Sequence, residues 1–364
     1  FVAIPGELAD GASFAKAAVA NGAVAVVAGH DAQLNLGDEA VILRTDNPRL
    51  ALSLMAARLY VPQPDIVVAV TGTNGKTSVA SFVRQIWSIL GLPAASVGTV
   101  GIVSPSGTRK LAHTTPDPVE IHGALQALSG EHVSHVALEA SSHGLAQYRL
   151  HGVRVAAAGF TNLTRDHLDY HKTFEAYLDA KMMLFEEVLG EGACAIINAD
   201  MPEAETIIAR CNARGLVVST VGTGGKALQI VSAEPQGFGQ QLRVKGRDGE
   251  YSVYLPLVGR FQADNAVMAV ALVVAGGASA AAAPKGPGPS TPSSVGVGVQ
   301  SYNMYFGAYL TPLFTPGADP IVAATAIWYE MQACKIRERA HVVAELIADV
   351  SPDLVGLQEV SSWR

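Results

Sequence analysis

Residues Val67 to Thr71 form an apolar run that passes directly into Gly72-Thr73-Asn74-Gly75-Lys76-Thr77, and helical spacing begins at Ser78. A buried strand that turns through glycines into a helix is the backbone context of a phosphate-binding loop. Gly72 and Gly75 let backbone N–H groups turn inward onto phosphate oxygens, Lys76 supplies a mobile positive charge, and Thr77 offers a hydroxyl to Mg2+. The strict form of such loops has a glycine where this chain has Val70, so the fit is to a shorter variant. A strand, a loop and a helix are thereby fixed in succession, which limits the fold to an α/β class.

The segments on either side agree with that class. From Phe1 to about Tyr60, apolar runs at Ala23 to Ala28 and Ala40 to Leu43 alternate with helix-like stretches at Ser13 to Asn21 and Pro48 to Tyr60, which predicts a small α/β domain over residues 1–62. Val61-Pro62-Gln63-Pro64 cannot continue a helix and marks a hinge. A P-loop domain over 63–276 follows, with helices predicted at Ser78 to Leu90, Thr173 to Leu189 and Asn265 to Ala275. Buried strands are predicted at His135 to Leu138, Val155 to Phe160 and Cys194 to Asn198. That alternation predicts a mostly parallel sheet with helices on both faces, and Leu228 to Leu257 reads as short antiparallel strands. Residues 277–296, rich in Ala, Pro and Gly, read as a linker, and 297–364 as an α/β fragment with patterning at Gly296 to Asn303 and Trp328 to Asp349.

Composition removes several function classes. The 364 residues are 49% apolar and 16% charged, as in a folded globular chain, and the net charge of −7 without a Lys/Arg-dense run argues against nucleic acid as a partner. Local cations can still hold a small anion. Cys194, Cys211 and Cys334 are too far apart for a zinc or disulfide framework, and a reducing cytoplasm is expected. No apolar run reaches the length of a membrane span, so no membrane insertion is expected, and a monomer is. The first residue, Phe1, suggests that the chain is entered part-way.

Glu139 ends the predicted strand at His135 to Leu138, at the carboxyl edge where open parallel sheets bind ligands, although a single Glu there is as readily an N-cap or half of an ion pair. His167, within Asn162-Leu163-Thr164-Arg165-Asp166-His167-Leu168-Asp169-Tyr170-His171, is by itself an ordinary loop histidine, and Lys181 by itself a solvated helix lysine.

The string Val70 to Thr77 resembles the ATP loop of the Mur ligase and folylpolyglutamate synthetase superfamily. Glu139-Ala140-Ser141-Ser142-His143-Gly144-Leu145, with Gln147 and Arg149, resembles the tripeptide-synthetase branch of the Mur ligases in particular. The resemblance implies ATP at Gly72, Thr73, Asn74, Gly75, Lys76, Thr77 and Ser78, with Asn265 of Gly259-Arg260-Phe261-Gln262-Ala263-Asp264-Asn265 near the adenine; Gln262 departs from the family's usual asparagine. It implies Mg2+ at Thr77, Glu139, His167 and a carbamylated Lys181, and a catalytic set of Lys76, Lys181 and His167. His113, Thr114, Thr115, Ser141, Gln147 and Arg149 are implied for a UDP-N-acetylmuramoyl-dipeptide. A planar guanidinium such as that of Arg149 suits a carboxylate or pyrophosphate because it donates two bonds at once.

The activity implied is ATP-dependent amide formation through an acyl phosphate, adding a third amino acid, diaminopimelate or lysine, to a peptidoglycan precursor. Asp46-Asn47-Pro48-Arg49 spells a motif that these ligases use for diaminopimelate, but it lies in the wrong domain. The family's amino-acid-selecting domain is not found after Asn265. The tail instead resembles the opening of an endonuclease/exonuclease/phosphatase domain, with Asn303 and Glu359 matching a metal site, so a truncated or fused ligase is expected. The competing readings are a folate-extending ligase and a metal-dependent phosphodiesterase in the tail.

Overall fold

The computed structural model of the protein describes residues 1–6, 9–37, 39–166, 168–277, 299–303 and 354–358. The predicted linker, the tail helix at Trp328 to Asp349, His167, Cys334 and Glu359 lie outside them. The described chain divides into two compact units, the first holding Phe1–Glu234, Gln241–Tyr254 and the segment from Gly259 through the last described helix.

At the start of the first unit, β1 (Val2–Ala3), β2 (Ala25–Gly29) and β3 (Val41–Thr45) form a parallel sheet in that order. A 3-10 turn (Gly11–Phe14) capped by Asp10 leads into α1 (Ala15–Ala20), and Ala3, Ala15, Val26, Ala28 and Leu36 make a small core. The helix α2 (Pro48–Leu59) starts where Asn47 accepts a bond from Leu50 N at 3.0 Å and Pro48 supplies a helical φ without wasting a donor.

The main sheet begins with β4 (Ile66–Thr71), whose residues Val67 to Thr71 are all buried, as a strand covered on both faces must be. After it come α3 (Lys76–Ile89), β5 (Ala94–Gly98), β6 (Gly101–Ser104), β7 (Gly107–Arg109), α4 (Pro118–Gly130) and β8 (His135–Glu139). Next are α5 (Ser142–Ala146), β9 (Val155–Phe160), α6 (Leu168–His171), α7 (Phe174–Met183), β10 (Cys194–Asn198), α8 (Ala204–Ala213) and β11 (Val217–Gly222). The strands β12 (Leu228–Gln236), β13 (Gly239–Gly246) and β14 (Gly249–Leu255), joined by two-residue turns, precede α9 (Arg260–Ala275). All eleven strands form one sheet, in the order β14-β13-β12-β11-β10-β9-β4-β8-β5-β6-β7. The stretch from β11 to β5 is parallel, and β6 and β7 add an antiparallel edge.

The predicted α/β architecture is therefore present, with differences at element ends. Helix α3 starts at Lys76 because Gly75 turns the chain with φ of 87° and the next residue is already helical. Gly259, at φ of 100°, likewise starts α9 at Arg260, five residues ahead of the expected Asn265. The stretch expected as one helix to Leu189 is α-helical to Met183 and then widens to a π turn over Leu184–Val188, held where Arg210 grips Glu186 at 2.7 Å and Asp179 at 2.6 Å. On its side away from β13, β12 pairs with β11 in parallel, which joins the strands of Leu228 to Leu257 to the main sheet. A separate pair, β15 (Val299–Asn303) and β16 (Leu354–Gln358), is parallel, with Asn303 opposite Gln358.

Chain order puts β5 and β8 on one side of β4, and β9 and β10 on the other. β4 thus lies where the winding reverses, and a crevice opens beyond the carboxyl ends of parallel strands at such a point. Helices α3 and α9 pack on one another against the sheet, α3 through Val79, Val83 and the fully buried Trp87. Four-residue spacing of those side chains gives the helix a single apolar stripe.

Candidate functional site

Four strand ends converge on the loop after β4. Gly72 has φ of 142°, and a side chain there would meet Thr161 Oγ1 and the backbone of Asn162, so only glycine fits. The loop is clamped to the end of β9: Asn162 O accepts from Thr73 N (2.9 Å), Asn162 Oδ1 accepts from Asn74 N (2.9 Å), and Thr161 Oγ1 donates to Asn74 O (2.6 Å). Asn198, at the end of β10, donates to Thr161 O at 2.9 Å and extends the clamp by one strand. On the other side of the loop the amide of Asn265, buried in the first turns of α9, lies against Gly75 where a Cβ would stand.

Lys76 Nζ donates to Gly72 O and Thr73 O, both at 2.9 Å. Lys181, on α7 and 1% exposed, also donates to Gly72 O at 2.9 Å, with its ammonium 4.3 Å from the centre of the Tyr177 ring. Burial, reinforced by the charge of Lys76, drives the Lys181 amine well below the usual lysine range, with Asp166 opposing. A neutral amine is nucleophilic, which the solvated lysine of the bare sequence would not be. The Tyr177 hydroxyl bonds with Thr73 Oγ1 at 3.2 Å, and burial pushes its pKa up to about 12.

Glu139 ends β8 at 3% exposure. Its Oε1 accepts from Thr99 N (2.8 Å), and its Oε2 accepts from Thr77 Oγ1 (2.8 Å) and Thr99 Oγ1 (3.2 Å). Desolvation raises its pKa, and the charge of Lys76 and the three bonds oppose that rise. Gly98 makes room for the carboxylate, because any Cβ at that position would overlap it. Glu139 is thus neither an N-cap nor part of a surface ion pair. The sequence reading does not single out Thr99, whose signal is its place just past the carboxyl end of β5.

A hydroxyl and a desolvated carboxylate 2.8 Å apart, beside a phosphate loop, fit Mg2+, a hard cation that takes one or two carboxylates and fills its other positions with phosphate oxygens and water. Among the described residues no group of three or more His, Cys, Asp or Glu forms a dedicated metal cage. His167 lies outside those residues.

The remaining expected residues gather on the far side of Glu139. Thr115, 1% exposed, donates to Glu139 O (2.9 Å) and accepts from Ser141 N (2.9 Å) and Ser141 Oγ (3.0 Å). Ser141 caps α5, accepting from Gly144 N at 3.1 Å. Arg149 donates to Thr115 O and to Gln147 Oε1, each at 2.7 Å, and Gln147 reaches the Tyr170 hydroxyl at 3.4 Å. Thr114 bonds with Thr99 at 3.1 Å, whereas His113 is exposed on the loop before α4. Ser78 is buried in the first turn of α3. His171, unassigned in the sequence, packs its ring 5.3 Å from that of Tyr177 and 5.4 Å from that of His143.

Comparison with known proteins gives concordant results. A family model described as the Mur ligase middle domain matches residues 70–273. A protein of Agrobacterium fabrum (strain C58) named UDP-N-acetylmuramoyl-L-alanyl-D-glutamate--2,6-diaminopimelate ligase is 50% identical over 285 residues, which are 78% of this chain and 58% of that protein. One of the same name from Bradyrhizobium diazoefficiens is 47% identical over 77% of this chain and 58% of its own length. This chain therefore spans a little under three fifths of the curated relatives it matches. A solved structure of a protein of that name superposes with a TM-score of 0.68 at 26% identity, covering 91% of this chain and 67% of the other.

Proposed function

Because the chain belongs to the Mur ligase family, we propose that it holds ATP and a UDP-N-acetylmuramoyl-dipeptide for ATP-dependent amide formation in peptidoglycan precursor synthesis. The carrying observation is the juxtaposition of the phosphate loop with the Thr77–Glu139 pair, on whose far side stand Thr115, Ser141, Gln147 and Arg149.

In this reading the loop N–H groups and Lys76 hold the nucleotide phosphates, and Asn265 faces the base. Lys76 then gives up carbonyl partners of its own loop for phosphate oxygens. Thr77 and Glu139 would hold Mg2+, with His167 and a carbamylated Lys181 completing the set that the family resemblance implies. Bound there, Mg2+ supplies charge neutralisation of the phosphate oxygens. Carbamylation consumes CO2 and releases a proton, turning a neutral amine into an anionic oxygen donor, and the lowered pKa of Lys181 supports it. Arg149, Gln147, Ser141 and Thr115 orient the substrate so that its free carboxylate attacks the γ-phosphorus and displaces ADP. The acyl phosphate formed is then attacked by an amine, giving an amide and phosphate. The names of the relatives favour 2,6-diaminopimelate as that amine.

Calorimetry with Mg-ATP and with UDP-N-acetylmuramoyl-L-alanyl-D-glutamate, on this chain and on Lys76→Ala, tests the reading. Both ligands are expected to bind the parent chain, and the variant to lose ATP alone. Absence of UDP-ligand binding in a chain that binds Mg-ATP would sink the substrate assignment.

A further inference from the structure

Helix α2 approaches the turn after α5 along one stripe of its surface. Ser53, fully buried, donates to Tyr148 O, and Ala57 stands where a Cβ on Gly152 would be. Residues four apart share a helix face, so the stripe through Ala57 and Ser53 continues to Arg49, one turn nearer the helix start. Arg149 directly follows Tyr148 in the opposing segment. The contact at Ser53 and Tyr148 therefore sets Arg49 and Arg149 on facing segments, near enough for the charge of Arg49 to bear on Arg149.

Both arginines are anchored by neutral groups. Arg49 Nη2 donates to Pro5 O at 2.7 Å, and Arg149 donates to Thr115 O and Gln147 Oε1. Among the described residues neither forms an ion pair with a carboxylate. Asp117 is the acid whose charge bears on Arg149, but its Oδ1 is already engaged by Val119 N (2.9 Å) and Glu120 N (3.0 Å) at the start of α4. The Arg149 guanidinium is pushed below its usual range by burial, and the positive charge of Arg49 adds to that. Each guanidinium carries five N–H donors, so most remain for a ligand. Two like charges held together by the fold with spare donors suit a dianionic or polyanionic group.

We infer that Arg49 and Arg149 form a two-arginine clamp for an anionic group of the UDP-muramoyl substrate, with Arg49 a binding residue contributed by the N-terminal sheet's own helix. The inference rests on the proposed substrate reading. It also gives Arg49 a role unrelated to the diaminopimelate motif that its neighbours happen to spell. Two groups of the substrate share the required chemistry, the pyrophosphate and the glutamate carboxylates.

The test is calorimetry on the full chain, with Mg-ATP binding as the measure of folding. Arg49→Ala is expected to weaken UDP-N-acetylmuramoyl-L-alanyl-D-glutamate by about tenfold or more, the scale of a charge-assisted bond, and to leave Mg-ATP unchanged. Arg49→Lys should recover only part of the loss, because an ammonium lacks the planar fork. Repeating the pair with UDP-N-acetylmuramoyl-L-alanine locates the contact: an equal loss places Arg49 on the pyrophosphate, and no loss places it on the glutamate. Full affinity in Arg49→Ala overturns the clamp while the substrate reading stands. A parent chain that binds Mg-ATP and not the UDP ligand overturns both. Should Arg49→Ala also lose Mg-ATP, Arg49→Gln, which keeps a donor for Pro5 O, replaces it, and wild-type affinity there overturns the clamp equally.

Discussion

The two halves of the crevice are built differently. The nucleotide half is backbone: glycines at special φ, loop amides that donate to Asn162, and a loop carbonyl that accepts from Thr161. The substrate half is held by side chains that reach from one segment to the next: Thr115 Oγ1 donates to Glu139 O and accepts from Ser141, and Arg149 donates to Thr115 O and to Gln147 Oε1. A backbone site is already shaped before its ligand arrives and tolerates little change in volume. A set of hydroxyls and a guanidinium can lose one member and survive with weaker binding. Substitutions should separate the two.

The largest effect is expected from Gly72→Ala. Its Cβ would overlap Thr161 and Asn162 at a φ that L-residues avoid, so a loss of about 3 kcal/mol in unfolding free energy and of nucleotide binding should appear in denaturant titration and calorimetry. Retained stability would show that the clamp at β9 gives way more easily than its bonds imply. Next comes Thr115→Val, which takes bonds from Glu139 O and from Ser141 and should cost about 2 kcal/mol. It should weaken the UDP ligand more than Mg-ATP, and equal weakening would erase the distinction between the halves. Glu139→Gln keeps the shape but not the charge, so nucleotide affinity should lose most of its dependence on Mg2+ while unfolding changes little.

The smallest effect concerns Tyr177. Its folded pKa, about 12, lies above the unfolded value near 10. Its contribution to stability is therefore fully present below about pH 10 and lost as pH rises towards 12. Tyr177→Phe should be slightly less stable at pH 8 and fall less steeply than the parent above pH 10, as followed by thermal melts. Parallel curves would mean that the phenol reaches solvent.

Sequence legibility follows the same division. The strand Val67 to Thr71 and the loop after it are contiguous, so alternation and glycine spacing reveal them before any tertiary contact is known. The strands at Val155 and Cys194 are short buried runs and were equally plain. By contrast α4 buries Ile121, His122, Leu125 and Leu128 at helical spacing, but a histidine on the buried face and the glycines Gly123 and Gly130 blur that pattern in the sequence. The edge strands β6 and β7 are four and three residues long, too short for a pattern. Family likeness identified Thr115, Ser141 and Arg149, but their convergence needs the order β9-β4-β8-β5, which no local string encodes. Thr99 lies in neither the loop nor the matched strings, and Arg49 stands in a string whose likeness points to a different ligand in a different domain.

The clamp between the phosphate loop and the end of β9 also sets a clock. Amide hydrogens of glycine-rich loops ordinarily trade with solvent quickly, since transient opening costs such loops little. Here the amides of Thr73, Asn74 and Thr164 are bonded to Asn162 O, Asn162 Oδ1 and Thr73 Oγ1. Their deuterium uptake should then keep pace with that of β4 and β9, so the loop opens only when the ends of those two strands open with it.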